Sequence, residues 1–278
     1  MKTSSESQNV PKIPYRDKCL DEIIKTNCQD SMKVPNIIHY IWFGNRREFR
    51  FFNFLSLYSV HVHQKPCLIF IHGETLPYGI YWTRTLQVIK NIIHVYRDAP
   101  RTMYNHTFKF VEHKADVGRL QALKEYGGMY FDTDTVLLRT LNPLRHLEFT
   151  MSQTRDDTIG NGLIVSAKNA RFIDVWLKEY VNFNPNKWGE HSVYLPFKLS
   201  KRHPDLIRVE NRTFLHGGTL DQIFMSNFKW EHLYAIHLYI RYYSKCPYDG
   251  ISIRTLNTTL GSTGRHVLFG SKELCYNL

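Results

Sequence analysis

At 278 residues, with 43% hydrophobic and 14% aromatic positions, the chain can bury one sizeable core, which excludes a disordered or low-complexity polypeptide. Lys and Arg number 36 against 25 Asp and Glu, a net charge of +11 whose field attracts anions. The basic residues are dispersed: Arg46-Arg47 and Lys201-Arg202-His203 are the tightest clusters. No helix-turn-helix, RNP or zinc-finger pattern accompanies them, so nucleic acid is not expected as a partner.

Residues 1–33 are polar and unpatterned and are expected to form an N-terminal tail. No apolar run approaches the roughly 20 residues of a membrane-spanning helix, and Met1-Lys2-Thr3-Ser4-Ser5-Glu6 is polar. Membrane association is thus expected only through an N-terminal anchor that this chain lacks. Order should begin at Val34-Pro35-Asn36, before the apolar run Ile37-Ile38-His39-Tyr40-Ile41-Trp42-Phe43, which Gly44 ends. Such a run has the composition of a strand buried on both faces. A helix is expected over Glu48 to Val60, a second strand over Cys67 to Ile71, and a helix followed by a strand within residues 80–96. Strands separated by helical patterns indicate βαβ units, hence an α/β fold with a mainly parallel central sheet flanked by helices. With no internal repeat and no linker rich in Pro, Gly or Ser, residues 34–278 read as a single domain.

The five cysteines (Cys19, Cys28, Cys67, Cys246 and Cys275) lack C-x-x-C spacing, which argues against zinc, and their odd number leaves at least one unpaired within the chain. Asn105-His106-Thr107, Asn211-Arg212-Thr213 and Asn257-Thr258-Thr259 fit the glycosylation acceptor rule, at about the frequency chance would give.

The best-defined segment runs from His113 to Leu138. Asp116, Val117, Leu120, Leu123 and Tyr126 carry a helical period, with Asp116 expected in the first turn, where the helix dipole favours an acid. Gly127-Gly128 stops the helix, Met129-Tyr130-Phe131 restarts as a strand, and Asp132-Thr133-Asp134 closes it. In open α/β sheets the ligand crevice lies outside the carboxyl ends of the strands, where this pattern puts its acids.

In extended backbone Asp132 and Asp134 point the same way. Converging carboxylates repel one another unless a cation or proton lies between them. A hard divalent ion, Mn²⁺ or Mg²⁺, suits oxygen ligands, and it binds through one or two carboxylates together with substrate phosphates. Taken alone, a D-x-D tripeptide is as easily a solvated turn, and Arg119 a surface partner for Asp116 worth about 0.3–0.5 kcal/mol.

The compound pattern is more specific. Ala115-Asp116-Val117-Gly118-Arg119-Leu120 through Tyr126-Gly127-Gly128-Met129-Tyr130-Phe131-Asp132-Thr133-Asp134 resembles the D-x-x-R…G-G-x-Y-x-D-x-D signature of the family 32 DXD glycosyltransferases. That family includes lactosylceramide α-1,4-galactosyltransferase, α-1,4-N-acetylglucosaminyltransferases and, more distantly, the yeast initiating mannosyltransferases. Pro35 to Gly44 resembles the family's first strand, and Asn161-Gly162 its N-G loop.

The resemblance implies a GT-A type nucleotide-sugar-binding fold and a metal-dependent, retaining transfer of a hexose from a nucleotide sugar to a glycan or glycolipid acceptor. A UDP-hexose is favoured over GDP-mannose as donor, Mn²⁺ or Mg²⁺ is the expected cofactor, and the Golgi the expected location. Carried over residue by residue, Asp132 and Asp134 would hold the metal, with Asp134 and Asp116 in catalytic roles. Asp116, Arg119, Tyr130, Asp132 and Asn161 would line the donor site, and Ile41 and Trp42 match the place where related toxins pack the nucleotide base. Trp42 reads equally as core, and Asn161-Gly162 as an ordinary turn. Tyr234-Ala235-Ile236-His237-Leu238 resembles the family's A-x-H segment, which makes His237 a third metal or phosphate contact; a lone histidine in an apolar run is also a common core residue. Trp188-Gly189-Glu190-His191-Ser192-Val193 departs from the Gly-Pro pair that relatives often carry, which bears on the acceptor side.

Two other readings compete. Phe131-Asp132-Thr133-Asp134-Thr135-Val136 matches the nucleophile loop of haloacid-dehalogenase-type phosphatases, although Gly127-Gly128 has no role in that scheme. A non-catalytic sugar- or nucleotide-binding relative would keep the fold without turnover.

Overall fold

A computed structural model describes residues 10–44, 47–211, 214–216, 220–242 and 248–275. The Met1–Glu6 segment, Arg46, Arg212, Thr213 and Cys246, singled out above, lie outside the described residues. The strands are β1 (Lys12–Pro14), β2 (Ile37–Ile41), β3 (Leu68–Gly73), β4 (Ile92–Tyr96), β5 (Thr102–Met103), β6 (His106–Thr107) and β7 (Gly128–Phe131). They continue with β8 (Thr135–Leu137), β9 (Phe149–Arg155), β10 (Thr158–Ser166), β11 (Arg208–Glu210), β12 (Leu215–His216) and β13 (Ala235–His237). The helices used below are α1 (Lys18–Asn27), α2 (Phe51–His63), α3 (Ile80–Val88) and α4 (Val111–Tyr126).

The main sheet has the order β1-β4-β3-β2-β7-β10-β9-β11. Its first five strands run parallel, β10 is antiparallel to β7 and β9, and β11 is parallel to β9. This is the expected mainly parallel sheet flanked by helices. Every residue of β2 and β3 is buried, which is why both segments read as continuous apolar runs rather than as alternating ones. The ambiguous segment 80–96 separates into α3 and β4, and α2 starts three residues later than expected, at Phe51.

The N-terminal segment differs from the expected tail. Lys12–Pro14 adds a parallel strand beside β4, with Lys12 opposite His94. Leu20 of α1 is fully buried in a cluster with Ile37, Leu68, Phe70 and Val95. A disulfide joins Cys28, just past α1, to Cys67, just before β3. The segment looked structureless because α1 buries one residue completely and β1 is three residues long, too short to show a period.

His39 in β2 and His72 in β3 form a buried histidine chain. His39 Nε2 donates to the Gly127 carbonyl at 2.7 Å, so its Nδ1 accepts from His72 Nε2 at 2.9 Å. His94 Nε2 donates to the Gly73 carbonyl at 2.9 Å.

The helix, glycine corner and strand are present as expected, with one correction. α4 begins at Val111, so Asp116 lies in the second turn, and Glu112 is the acid of the first. The dipole argument therefore does not apply to Asp116. At the corner Gly127 (φ 66°) and Gly128 (φ 111°) occupy backbone regions L-residues rarely adopt. A Cβ on Gly128 would sit 2.6 Å from the Ile37 carbonyl oxygen, so the corner lets β7 lie flush against β2.

Candidate active site

Past β7 the backbone turns. The Thr135 amide donates to the Asp132 carbonyl at 3.0 Å, so residues 132–135 form a turn and not the extended segment assumed from the i, i+2 spacing. The carboxylates still converge, because a distant strand meets them. β13 runs antiparallel to β8 with His237 opposite Thr135, and the Leu238 amide donates to the Asp134 carbonyl at 3.0 Å.

Each carboxylate has one oxygen fixed by the protein and turns the other toward His237. Asp132 Oδ1 accepts from the Tyr130 hydroxyl at 2.5 Å and from Arg119 Nη1 at 3.1 Å, while Oδ2 lies 3.6 Å from His237 Nε2. Asp134 Oδ2 accepts from the Ile240 amide at 3.0 Å, while Oδ1 lies 3.1 Å from His237 Nε2. One ligand atom from each of the three residues falls within 4.8 Å of the others. Two carboxylate oxygens and an imidazole nitrogen, half-buried and already oriented by second contacts, are a donor set that Mn²⁺ or Mg²⁺ fits.

Arg119 ties this cluster to α4. Its Nη2 lies 3.1 Å from Asp116 Oδ1, and its Nη1 also donates to the Asn161 carbonyl at 2.7 Å. Its guanidinium carbon stands 4.4 Å from the centre of the Tyr130 ring. Asn161 Nδ2 donates to the same Asp116 oxygen at 2.9 Å. Burial opposes the charge on Arg119, yet Tyr130, Asp132 and Asp116 together raise its pKa and keep it cationic. Burial pushes the Asp116 carboxyl up, with Arg119 opposing. Burial also works against the charged forms of Asp134 and His237, but their mutual attraction, helped for Asp134 by the Ile240 amide, lowers the acid and raises the base.

Asp116, Arg119, Tyr130, Asp132, Asp134, Asn161 and His237 therefore form one connected constellation. Ile41 packs in the cluster that holds Tyr130 and Val117. Trp42 lies in another core cluster, 4% exposed against Phe49, and its Nε1 has no hydrogen-bond partner among the described residues. Asn161-Gly162 is not a turn but part of β10, next to a register irregularity.

Three contributors had no clear sequence signal. The Ile240 amide acts through backbone, which no side-chain pattern announces. Tyr239, in left-handed backbone (φ 51°), stacks on His237 with ring centroids 4.0 Å apart. At Gly162 a Cβ would lie 2.9 Å from His237 Nδ1 and 3.0 Å from Asp132 Oδ2, so any side chain there would press on both; the Gly after Asn161 was visible, its reason was not.

Residues 69–150, from β3 to the start of β9, match the family described as glycosyltransferase sugar-binding region containing DXD motif. That match takes in α4, the glycine corner and the acidic turn. It is similar to glucan organizing enzyme 1 of Cryptococcus neoformans var. grubii, 29% identical over 232 residues, which cover 74% of this chain and 62% of that relative. The chain thus spans about three fifths of the length of the relative it matches. Among solved structures it is similar to the bifunctional glycosyltransferase WbbM in its apo form, with a TM-score of 0.51 and 12% identity, covering 88% of this chain and 51% of that one. The galactosyltransferase LgtC, solved with donor and acceptor sugar analogues, aligns with a TM-score of 0.44 and 12% identity, over 86% of this chain and 98% of that one. The fold is of the GT-A type. The phosphatase reading finds no support in these matches.

Proposed function

We propose that the protein is a metal-dependent, retaining hexosyltransferase of family 32 that uses a nucleotide sugar, a UDP-hexose ahead of GDP-mannose, and a glycan or glycolipid acceptor. The observation that carries this reading is the paired orientation of Asp132 and Asp134, each fixed through one oxygen and turning the other toward His237. These three residues would hold Mn²⁺ or Mg²⁺. Such an ion, when bound, supplies Lewis-acid stabilisation of the negative charge that develops on the leaving diphosphate.

The remaining chemistry belongs to the chain's own groups. Arg119 neutralises Asp116 and Asp132 where they would otherwise repel each other in a dry site. Asp116 takes both of its contacts on Oδ1, so its second oxygen is available to orient a sugar hydroxyl and to stabilise positive charge on an oxocarbenium-like ring. Asp132 and Asp134 are both held by other donors, and Asp116 is committed to Arg119 and Asn161. The second oxygen of Asp116 stays open, and we assign it to orienting the sugar, so front-face attack assisted by the leaving phosphate would account for the retention that the family resemblance implies. Ile41, at the end of β2, and Trp42 after it would form the wall behind the nucleotide base.

The Cys28–Cys67 disulfide supports a place in the oxidising secretory pathway, in keeping with a Golgi location. Similarity to glucan organizing enzyme 1 supports a polysaccharide as the acceptor's setting. Mn²⁺ binding followed by electron paramagnetic resonance, together with transfer assays over a panel of UDP- and GDP-sugars, tests the reading. Asp134→Ala should abolish both Mn²⁺ binding and transfer while leaving the melting temperature nearly unchanged. A variant that keeps near-normal turnover in Mn²⁺ overturns the metal role, and an inverted product anomer overturns retention.

A further inference from the structure

The segment that departs from relatives, Trp188–Val193, lies beside the cluster just described. Trp188 is 42% exposed, Phe110 44% and Tyr242 62%, a concentration of open aromatic surface that a folded chain does not leave without consequence. The rings are not scattered. Phe110 and Trp188 meet edge to face with centroids 5.1 Å apart, and the Arg241 guanidinium stands over Trp188 at 5.3 Å. Arg241 also donates to the Tyr242 hydroxyl at 2.9 Å. Buried His113 packs against both Phe110 and Trp188 from behind, at 5.3 Å from each.

Both ends of this platform are fastened to the acidic cluster. Phe110 immediately precedes α4, which carries Asp116 and Arg119. Arg241 immediately follows Ile240, whose amide holds Asp134. The turn after Trp188 is a π-helix, Glu190–Tyr194, an unusual backbone form that recurs at functional sites.

We infer that Phe110, Trp188, Arg241 and Tyr242 form the subsite for the acceptor, and that its occupant is an uncharged hexopyranose of a glycan. The inference rests on the transferase reading above. A pyranose presents a face of C–H groups that lies flat on an aromatic ring, with hydroxyls at its rim. The exposed rings match the face, and the Arg241 and Tyr242 side chains supply a donor and an acceptor for the rim. A purely apolar occupant such as an acyl chain would leave the guanidinium desolvated without a partner.

The test uses the whole chain and four neutral probes: lactose, N-acetyllactosamine, mannotetraose and laminaritetraose. Ligand-observed saturation-transfer NMR reads binding at millimolar concentration, and two assays read chemistry: transfer to the probe that binds, and hydrolysis of nucleotide sugar without acceptor. Trp188→Ala should lose the NMR signal and raise the acceptor KM about tenfold or more, with donor hydrolysis unchanged. Trp188→Tyr should restore most of the loss, and Phe110→Ala should show a smaller effect of the same kind. The inference is overturned if no probe binds the unaltered protein, or if Trp188→Ala binds and transfers as well as the parent. If the parent binds a probe through Trp188 yet hydrolyses and transfers no nucleotide sugar, the subsite stands and the transferase reading falls.

Discussion

The same side chain is used in opposite ways at two places in this molecule. Between β2 and β3, His39 and His72 are fully buried, face a carbonyl and each other, and meet no carboxylate among the described residues. Burial holds the His39 pKa down to about 4 and pulls His72 well below its ordinary value, with His39, Arg97 and His94 adding to the effect. At the tip of β13, His237 is also shielded from solvent, yet Asp134 and Asp132 raise it. Depth does not fix the direction in which an imidazole shifts here; the neighbouring charge does. The first pair is a neutral core element, and the second belongs to a charged site.

Changes that remove the compensating charge should have the largest effect. Arg119→Met leaves Asp116 and Asp132 facing each other in a buried site and should cost about 3–5 kcal/mol of stability in urea denaturation. A loss below about 1 kcal/mol would mean that the acids are solvated and the site is not the dry cluster described. Asp134→Asn tests the charge next to His237 with little change of shape. Transfer should fall about 10²–10³-fold with the urea midpoint nearly fixed.

The neutral pair should answer to pH. Because folding lowers the pKa values of His39 and His72, their contribution to stability is complete above about pH 6.5 and is lost as pH falls toward 4. Urea unfolding at pH 7 and pH 5 should differ by on the order of 2 kcal/mol from His39, with His72 adding in the same direction. His72→Gln should reduce that slope, and an unchanged slope would assign acid sensitivity to other groups. The smallest expected effect is at Gly162. An added methyl in Gly162→Ala presses on His237 and Asp132 and should weaken Mn²⁺ binding about tenfold, with little change in folding.

Much of this was legible in the sequence for local reasons. The α4–Gly127–Gly128–β7 unit and the acidic turn lie within one short stretch, where period and glycine placement speak directly. The family resemblance added Arg119, Asn161 and His237, whose meeting depends on β10 and β13 coming from far along the chain. Other features stayed hidden for physical reasons. The turn geometry at Asp132 is invisible in a D-x-D spacing, and Asn161-Gly162 has turn composition yet sits in β10, where the glycine leaves room for His237. The pairing of Cys28 with Cys67 follows from α1 docking under β3, which a polar segment with one fully buried leucine does not advertise. The His39–His72 contact is a matter of register between neighbouring strands.

The disulfide has one more consequence. Cys67 lies just before β3, at the amino end of the parallel strands, whereas the acidic turn follows the carboxyl end of β7. The acidic turn is at the opposite rim. The covalent cross-link therefore fastens α1 at the rim away from Asp132 and Asp134, so reducing it should loosen that end of the sheet and leave the acidic turn in place.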